Sequence, residues 1–438
     1  MRRGARRLLA LSLALAWAAG ACTGGAGPTG PGPGPTGPTG PATEGSPSPP
    51  GSRARPGPDA PECPYGPAPS PRPPAAAPLP GPLAEVARQV EEVRGLRFER
   101  PVPAQPVTQA RIGELVTAGI RRDFPREVAE RRERAWALMG AIPQDSDLFR
   151  SVVDFAASQV VGFYDTVAKR LVFVGDPSPS PLARLTLAHE LTHALQDQRF
   201  DLTRLDALGR ACRDEEASAL QALVEGDAQD VSIRWAQRHL SLDEVLELQL
   251  EAGALAPPPA SVPPFVEGQF LFPYEAGQRF VRALLARGGQ EALDRAFQDP
   301  PRSTEQVLHP ERFPNDAPQA VAVPDFAQVL GPGWEDLDFQ DVGEGWLQLY
   351  LGVELPESRA RAAAAGWDGG QYRAWTDGER VALVLDTVWD SEADAREFAD
   401  AVQDLGEGRP VRALVRGAAV RVLYASDQAT LGALAEAA

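Results

Sequence analysis

LARLTLAHELTHALQDQRF, residues Leu182 to Phe200, is the stretch from which the rest of the chain is read. Its leucines and alanines recur at three- and four-residue spacing, the period of a helix packed on a core. Inside it, His189-Glu190-Leu191-Thr192-His193 is HExxH. Residues four apart share a helix face, so both imidazoles can reach one tetrahedral metal ion. Glu190 lies about 100° further round, where it can meet a water on that ion without becoming a ligand. The chain has only four His, the others being His239 and His309. A purely structural helix would leave the ring nitrogens needing partners beside Leu187, Leu191 and Leu195, which favours the metal reading. His239 ends a helical stretch in Arg-His and is read as solvated.

A catalytic zinc site takes a third protein ligand and keeps one position open for water. No His stands six residues beyond His193, so that continuation is excluded. Glu225, in Ala222-Leu223-Val224-Glu225-Gly226-Asp227-Ala228, is the candidate. It lies 32 residues past His193 in a second helical stretch, Asp214 to about Gln237, and Gly226 beside it permits close approach of another backbone. Glu215, Glu216, Asp227 and Asp230 on the same stretch are expected to be exposed carboxylates.

Upstream, Leu83 to Arg94 and Gln109 to Met139 read as amphipathic helices, the second interrupted by Pro125. The period then changes to two: VVGFYD (Val160 to Asp165) and LVFVGD (Leu171 to Asp176) read as a β-hairpin. Downstream, a Pro-rich connector spans Pro257 to Pro264, and Tyr274 to Phe297 reads as helix split at Gly288-Gly289. Beyond Trp367 come short strands at Gln371 to Trp375, Val381 to Asp386 and Ala419 to Tyr424, with helices near Asp390 to Gln403 and Gln428 to Ala437. Trp367, Trp375 and Trp389 are read as core. The expected class is α+β: a mostly helical body over residues 83–365 and a small α+β module over 366–438.

The first 22 residues put four Arg ahead of an apolar run from Leu8 to Ala21. That run is short of the ~20 residues a membrane-spanning helix needs, so residues 1–21 are expected to be an export signal peptide. Ala19-Gly20-Ala21-Cys22 resembles the lipobox of bacterial lipoproteins, which implies lipidation at Cys22 and a place at the cell envelope, outside the cytoplasm. Residues 23–82 hold 21 Pro and 13 Gly, a composition that extends without packing, so residues 22–82 are expected to be a disordered tether. Cys63 and Cys212 are the remaining thiols, and an exported chain permits a disulfide between them. With 43 basic and 60 acidic side chains, a net charge of -17 and a single Lys, Lys169, the chain lacks the clustered cations that nucleic acid requires.

HELTH at 189–193, EGDA at 225–228 and the hairpin ahead of the first helix together resemble the gluzincins, the metallopeptidase group that includes thermolysin. GFYD, TLAHELTHALQDQ, VEGDA, FPYEAGQRFV and STEQVLHPERF, in that order from Gly162 to Phe313, are similar to a family of exported bacterial metallopeptidase-like proteins. The resemblance implies a zincin-like fold with one Zn²⁺ per chain on His189, His193 and Glu225. It also implies Glu190 as general base, and a peptide or protein as substrate. Tyr274 and His309 are the candidates to donate to the oxyanion that develops on the attacked carbonyl. In thermolysin-like sequences an Asp one turn after the ligand Glu orients a zinc His; here Gln229 stands there, with Asp197 another candidate orienter. The strand Gln159 to Asp165 is the expected edge for an extended substrate, with Tyr164 at hand or simply packed. A non-catalytic binding or assembly lipoprotein on the same scaffold, or a zinc hydrolase of a non-peptide amide, uses the same residues. Absence of a Gly-x-Met-Glu-Asn signature favours endopeptidase over aminopeptidase action.

Overall fold

The computed structural model describes residues 61–66, 79–159, 162–175, 179–255, 257, 259–406 and 408–438. The expected signal peptide, Cys22 and most of the tether lie outside the described residues. The chain begins with α1 (Gly81–Arg94), β1 (Ala104–Val107), α2 (Gln109–Asp123), α3 (Arg126–Met139), α4 (Leu148–Gln159), β2 (Gly162–Asp165) and β3 (Arg170–Val174). A helical run follows: α5 (Pro181–Phe200), α6 (Thr203–Arg210), α7 (Asp214–His239), α8 (Leu242–Ala254), α9 (Pro264–Gln298), α10 (Thr304–Leu308) and α11 (Ala327–Leu330). The C-terminal part is β4 (Glu335–Asp341), α12 (Glu344–Leu351), α13 (Glu357–Ala364), β5 (Trp367–Thr376), β6 (Val381–Trp389), α14 (Glu392–Leu405), β7 (Val411–Arg416), β8 (Ala419–Ala425) and α15 (Gln428–Ala437). The class is α+β. No helix among the described residues is long and apolar enough to cross a membrane.

Pro125 separates α2 from α3, because it lacks an N–H and disfavours helical geometry at Phe124 before it. The first sheet has order β1-β3-β2, with β1 parallel and β2 antiparallel to the central β3. Gln159 closes α4 rather than opening the strand, which starts at Gly162; Val160 and Val161 lie outside the described residues. On β3, Leu171 and Phe173 join the core under α1 and α5, while Val172 faces the core shared with α2, α3 and α4. The hairpin thus seats α1 and α5 on one face and α2, α3 and α4 on the other.

α5 and α7 have no single apolar stripe. Leu187 to Asp197 on α5 and Ala219 to Ser232 on α7, Gln221 aside, are continuously buried, as befits helices packed on all sides. Ser180 caps α5 by accepting from the Ala183 N–H, and Pro181 occupies the first turn, where its missing N–H costs nothing. α9 crosses α7 at closest approach where Gly226 meets Gly277. A β-carbon on Gly226 would stand 2.2 Å from the Gly277 carbonyl carbon, and one on Gly277 would stand 1.9 Å from Ala222 O. The two glycines are what let the helix backbones touch. Gly288 and Gly289 break helical geometry inside α9 at the expected place, Gly289 with φ 62°.

The second sheet is antiparallel in the order β4-β5-β6-β8-β7. Alternate residues of β6 enter opposite cores: Leu383 and Leu385 join the core containing Trp136 and Phe398, and Ala382 and Val384 join that of Trp375 and Leu431. Trp367, Trp375 and Trp389 are buried. β4 belongs to this sheet, so the module starts ahead of residue 366, inside the stretch assigned to the helical body. Its sequence, EDLDFQD, is too acidic to read as a strand; four carboxylates are tolerated because Arg132 and Arg373 reach Asp338 and Asp336.

Cys63 and Cys212 form a disulfide with Cα atoms 5.8 Å apart. It pins residues 61–66 to the body, with Tyr65 half-buried against the core, so this piece of the expected tether is packed.

Candidate metal centre

The geometry follows from helix spacing. His189 and His193 sit one turn apart on α5, and Glu225 reaches them from α7, which packs alongside. His189 Nε2 lies 3.0 Å from His193 Nε2 and 3.1 Å from Glu225 Oε2, and His193 Nε2 lies 3.4 Å from that same oxygen. Ligand atoms about 2.0–2.1 Å from a tetrahedral centre stand about 3.3 Å from one another, so this triangle fits one ion above its face. The His189, His193 and Glu225 group can hold a metal ion. All three are buried, His193 being the most open at 6%.

The electrostatics of the three groups suit a ligand set for a cation. Burial disfavours charge on both imidazoles. It lowers His189, whereas at His193 the neighbouring Glu225 wins and lifts the ring to about 9. Against the upward push of its own burial, Glu225 is pulled down to about 2 by His193 and His189. Both imidazoles hydrogen-bond the Glu225 carboxylate, and a divalent ion would take the place of the hydrogens between them.

Glu190 faces the cluster from the next position on α5. Its Oε2 accepts the Tyr164 N–H of β2 at 3.0 Å, while its Oε1 is buried without a partner. Burial pushes its carboxyl up to about 8. Tyr274, on α9 one residue past Pro273, stacks over His189 at 6.0 Å between ring centroids, and its hydroxyl donates to Glu225. The close α7–α9 crossing at Gly226 and Gly277 is what brings that ring in.

The orienting group for His193 is one the sequence reading passed over. His193 Nδ1 meets Gln196 Oε1 at 2.9 Å, and Gln196 Nε2 donates to Val224 O and to Asp227 Oδ2, each at 3.0 Å. Arg94 Nε of α1 donates to that Asp227 oxygen at 2.8 Å, both side chains being fully buried, and its other nitrogens reach Gln290 and Asp294. Asp227, Asp230 and Glu215 are therefore buried, correcting the expectation that they are exposed. Asp197 does not orient an imidazole: it accepts from Tyr164 Oη at 2.7 Å, Lys169 Nζ at 2.7 Å and the Leu202 N–H at 3.0 Å. Gln229 is buried on α7, with Ser232 Oγ donating to its carbonyl. Gln196 is three residues past His193, on its helix face, and that spacing was the available signal.

His309 stands elsewhere. Its Nε2 pairs with Glu344 at 3.0 Å, and Thr304 of its own short helix bonds Glu215, ten residues and about 15 Å along α7 from Glu225. Its pKa is raised chiefly by the Glu344 hydrogen bond. His239 is half-buried beside Trp235, at 6.0 Å between rings, and takes no part in the cluster.

Residues 329–434 match a family described as a domain of unknown function, DUF8575, which covers the second sheet and its helices but not the metal cluster. No curated protein matches the chain. Among solved structures, a proposed hydrolase with a novel fold from Chloroflexus aurantiacus aligns over 53% of this chain and 86% of its own, at 19% identity and a TM-score of 0.36.

Proposed function

We propose that this chain is a zinc peptidase that hydrolyses peptide bonds with water at the His189, His193 and Glu225 centre. The observation that carries the reading is the triangle of ligand atoms, 3.0 to 3.4 Å on a side, with the unpartnered Glu190 Oε1 beside it. Two nitrogens and one carboxylate oxygen suit zinc, and three protein ligands leave a position open. Zinc, when bound, supplies a Lewis acid and a water that ionises near neutral pH.

The chain's own groups do the rest. Glu190 Oε1 takes the proton from the attacking water and passes it to the departing amine nitrogen, while the Tyr164 N–H holds the carboxylate in place through Oε2. Tyr274 Oη, the hydroxyl nearest the ligands, donates to the carbonyl oxygen as charge grows there. Gln196 fixes the His193 ring so that Nε2 faces the centre. Because Glu190 takes the Tyr164 N–H, an extended substrate pairing along β2 would use other groups of that edge.

The leader and the AGAC motif support export and lipid attachment at Cys22, placing the enzyme on the outer side of a bacterial membrane. A second reading has its own support. A centre buried to this degree resembles a closed structural site, in which zinc stabilises a scaffold without turnover.

The test is cleavage mapping of a peptide library by mass spectrometry, with the chain stripped by chelator and then reloaded with zinc. The peptidase reading expects cleavage that disappears with the metal and returns with it. One equivalent of bound zinc with no cut peptide favours the scaffold.

A further inference from the structure

A cavity of about 190 Å³ lies among α3, α4, α6, α7, α9 and α12, with Tyr65 of the disulfide-pinned segment on its wall. It lies below the ~300 Å³ at which pockets for drug-sized ligands begin, so it suits one long side chain. Its position relative to the metal centre is set by two helix stripes. From α7 it is lined by Asp214, Ser218 and Gln221, and Glu225 continues that spacing four residues, about 6 Å, further on. From α9 it is lined by Val266, Phe270 and Pro273, and Tyr274 is four residues on from Phe270. The cavity and the centre are consecutive stations along the same faces of two packed helices.

The lining is unfinished in a particular way. Trp136 Nε1, Trp346 Nε1 and Gln340 Oε1 belong to residues at least nine-tenths buried, line the cavity, and have no hydrogen-bond partner; Asp214 Oδ2 and Gln269 Nε2, on half-buried lining residues, also lack one. Buried polar atoms without partners are costly unless something else satisfies them. The charges are unbalanced too. Among the lining groups Arg132 is committed to Asp338 and Asp214, and Arg210 to Asp123. Among the described residues no ion pair reaches Asp206 or Glu215, the latter held only by the Thr304 N–H and hydroxyl. Burial pushes Asp206 and Asp214 up to about 6 and Glu215 up to about 7, as in an acid cluster short of positive charge.

Resting on the peptidase reading above, we infer that this cavity is a specificity subsite reached from the scissile bond along α7 and α9 and that it receives a basic side chain, Arg or Lys. The aromatic and aliphatic walls cover the methylene stem, the indole N–H groups and Gln340 Oε1 meet polar groups of the entering residue, and Asp206 and Glu215 meet the cation.

The experiment is calorimetric titration of N-acetyl-arginine amide and N-acetyl-norleucine amide into the full chain carrying Glu190→Gln, which binds without turnover. The arginine amide is expected to bind at least about tenfold more tightly, as a charge-assisted hydrogen bond implies. Glu215→Gln is expected to remove most of that preference. Asp206→Asn, at the half-buried rim, guards against a Glu215→Gln chain that fails to fold: it too must weaken the preference, and an unchanged preference in the folded Asp206→Asn chain contradicts the assignment. Equal binding of both amides, or binding of neither in a cavity that holds only water, overturns it. A basic preference in binding with no peptide cut by the zinc-loaded wild type keeps the subsite and removes the peptidase. Cleavage indifferent to basic residues does the reverse.

Discussion

His193 Nδ1 is held at 2.9 Å by the side-chain oxygen of Gln196, its neighbour one turn along α5. That contact fixes which ring nitrogen faces the centre. Gln196→Ala is therefore expected to lower zinc affinity by about 10- to 100-fold, measured by competition with a chelating dye. Asp197→Asn, whose carboxylate serves Tyr164 and Lys169 instead, should leave that affinity close to wild type.

Arg94 and Asp227 form a fully buried ion pair joining α1 to the helix that carries Glu225. Arg94→Met leaves Asp227 charged and unpaired, at a cost of about 3–5 kcal/mol. Chemical denaturation should show that loss, and the zinc affinity of whatever remains folded should fall because Asp227, which holds Gln196, is left without its cation.

Gly226 stands against the Gly277 backbone at the α7–α9 crossing. Gly226→Ala forces the two helices apart and should cost about 1–3 kcal/mol. Because Glu225 and Tyr274 sit on either side of the crossing, zinc affinity should drop together with the melting temperature. Gly113→Ala, at a half-buried helix position with open space around the added methyl, should instead be neutral or slightly stabilising.

Zinc uptake should be coupled to protons. Glu225 holds the His193 ring at about 9, so in the metal-free chain this ring is protonated at neutral pH, and it must lose that proton to ligate. Titration at pH 7 in buffers of different ionisation enthalpy should report release of about one proton, with affinity rising as pH climbs towards 9. The same shift sets an opposite trend for the metal-free chain. A His raised in the folded state stabilises fully below its ordinary value near 6.5, and that contribution fades as pH rises through about 9.

What could be read from the chain in advance was what is local. HELTH on a helical period, the Pro125 break, the Gly288-Gly289 interruption and the β-rich runs at Phe163 and Val172 are all patterns within a few residues. Gly226 was legible as a point of close approach, though its partner Gly277 was not. What escaped depends on distant pairing. β4 was missed because its carboxylates are neutralised by arginines up to about two hundred residues away, and β7 because an edge strand reading VRALVR carries no buried alternation. Asp227 reads as one more helix carboxylate until Arg94, 133 residues upstream, is placed against it. The disulfide was legible only as two leftover thiols; the fold decides that their backbones stand 5.8 Å apart.

The most direct test compares zinc-loaded wild type with Glu190→Gln in hydrolysis of casein, with bound zinc measured in both. Removing the base while leaving the three ligands should keep one equivalent of zinc in each protein and lower the hydrolysis rate by about 10²- to 10⁴-fold. A wild type that binds no zinc, or a Glu190→Gln chain that cleaves casein as fast as wild type, would contradict the account.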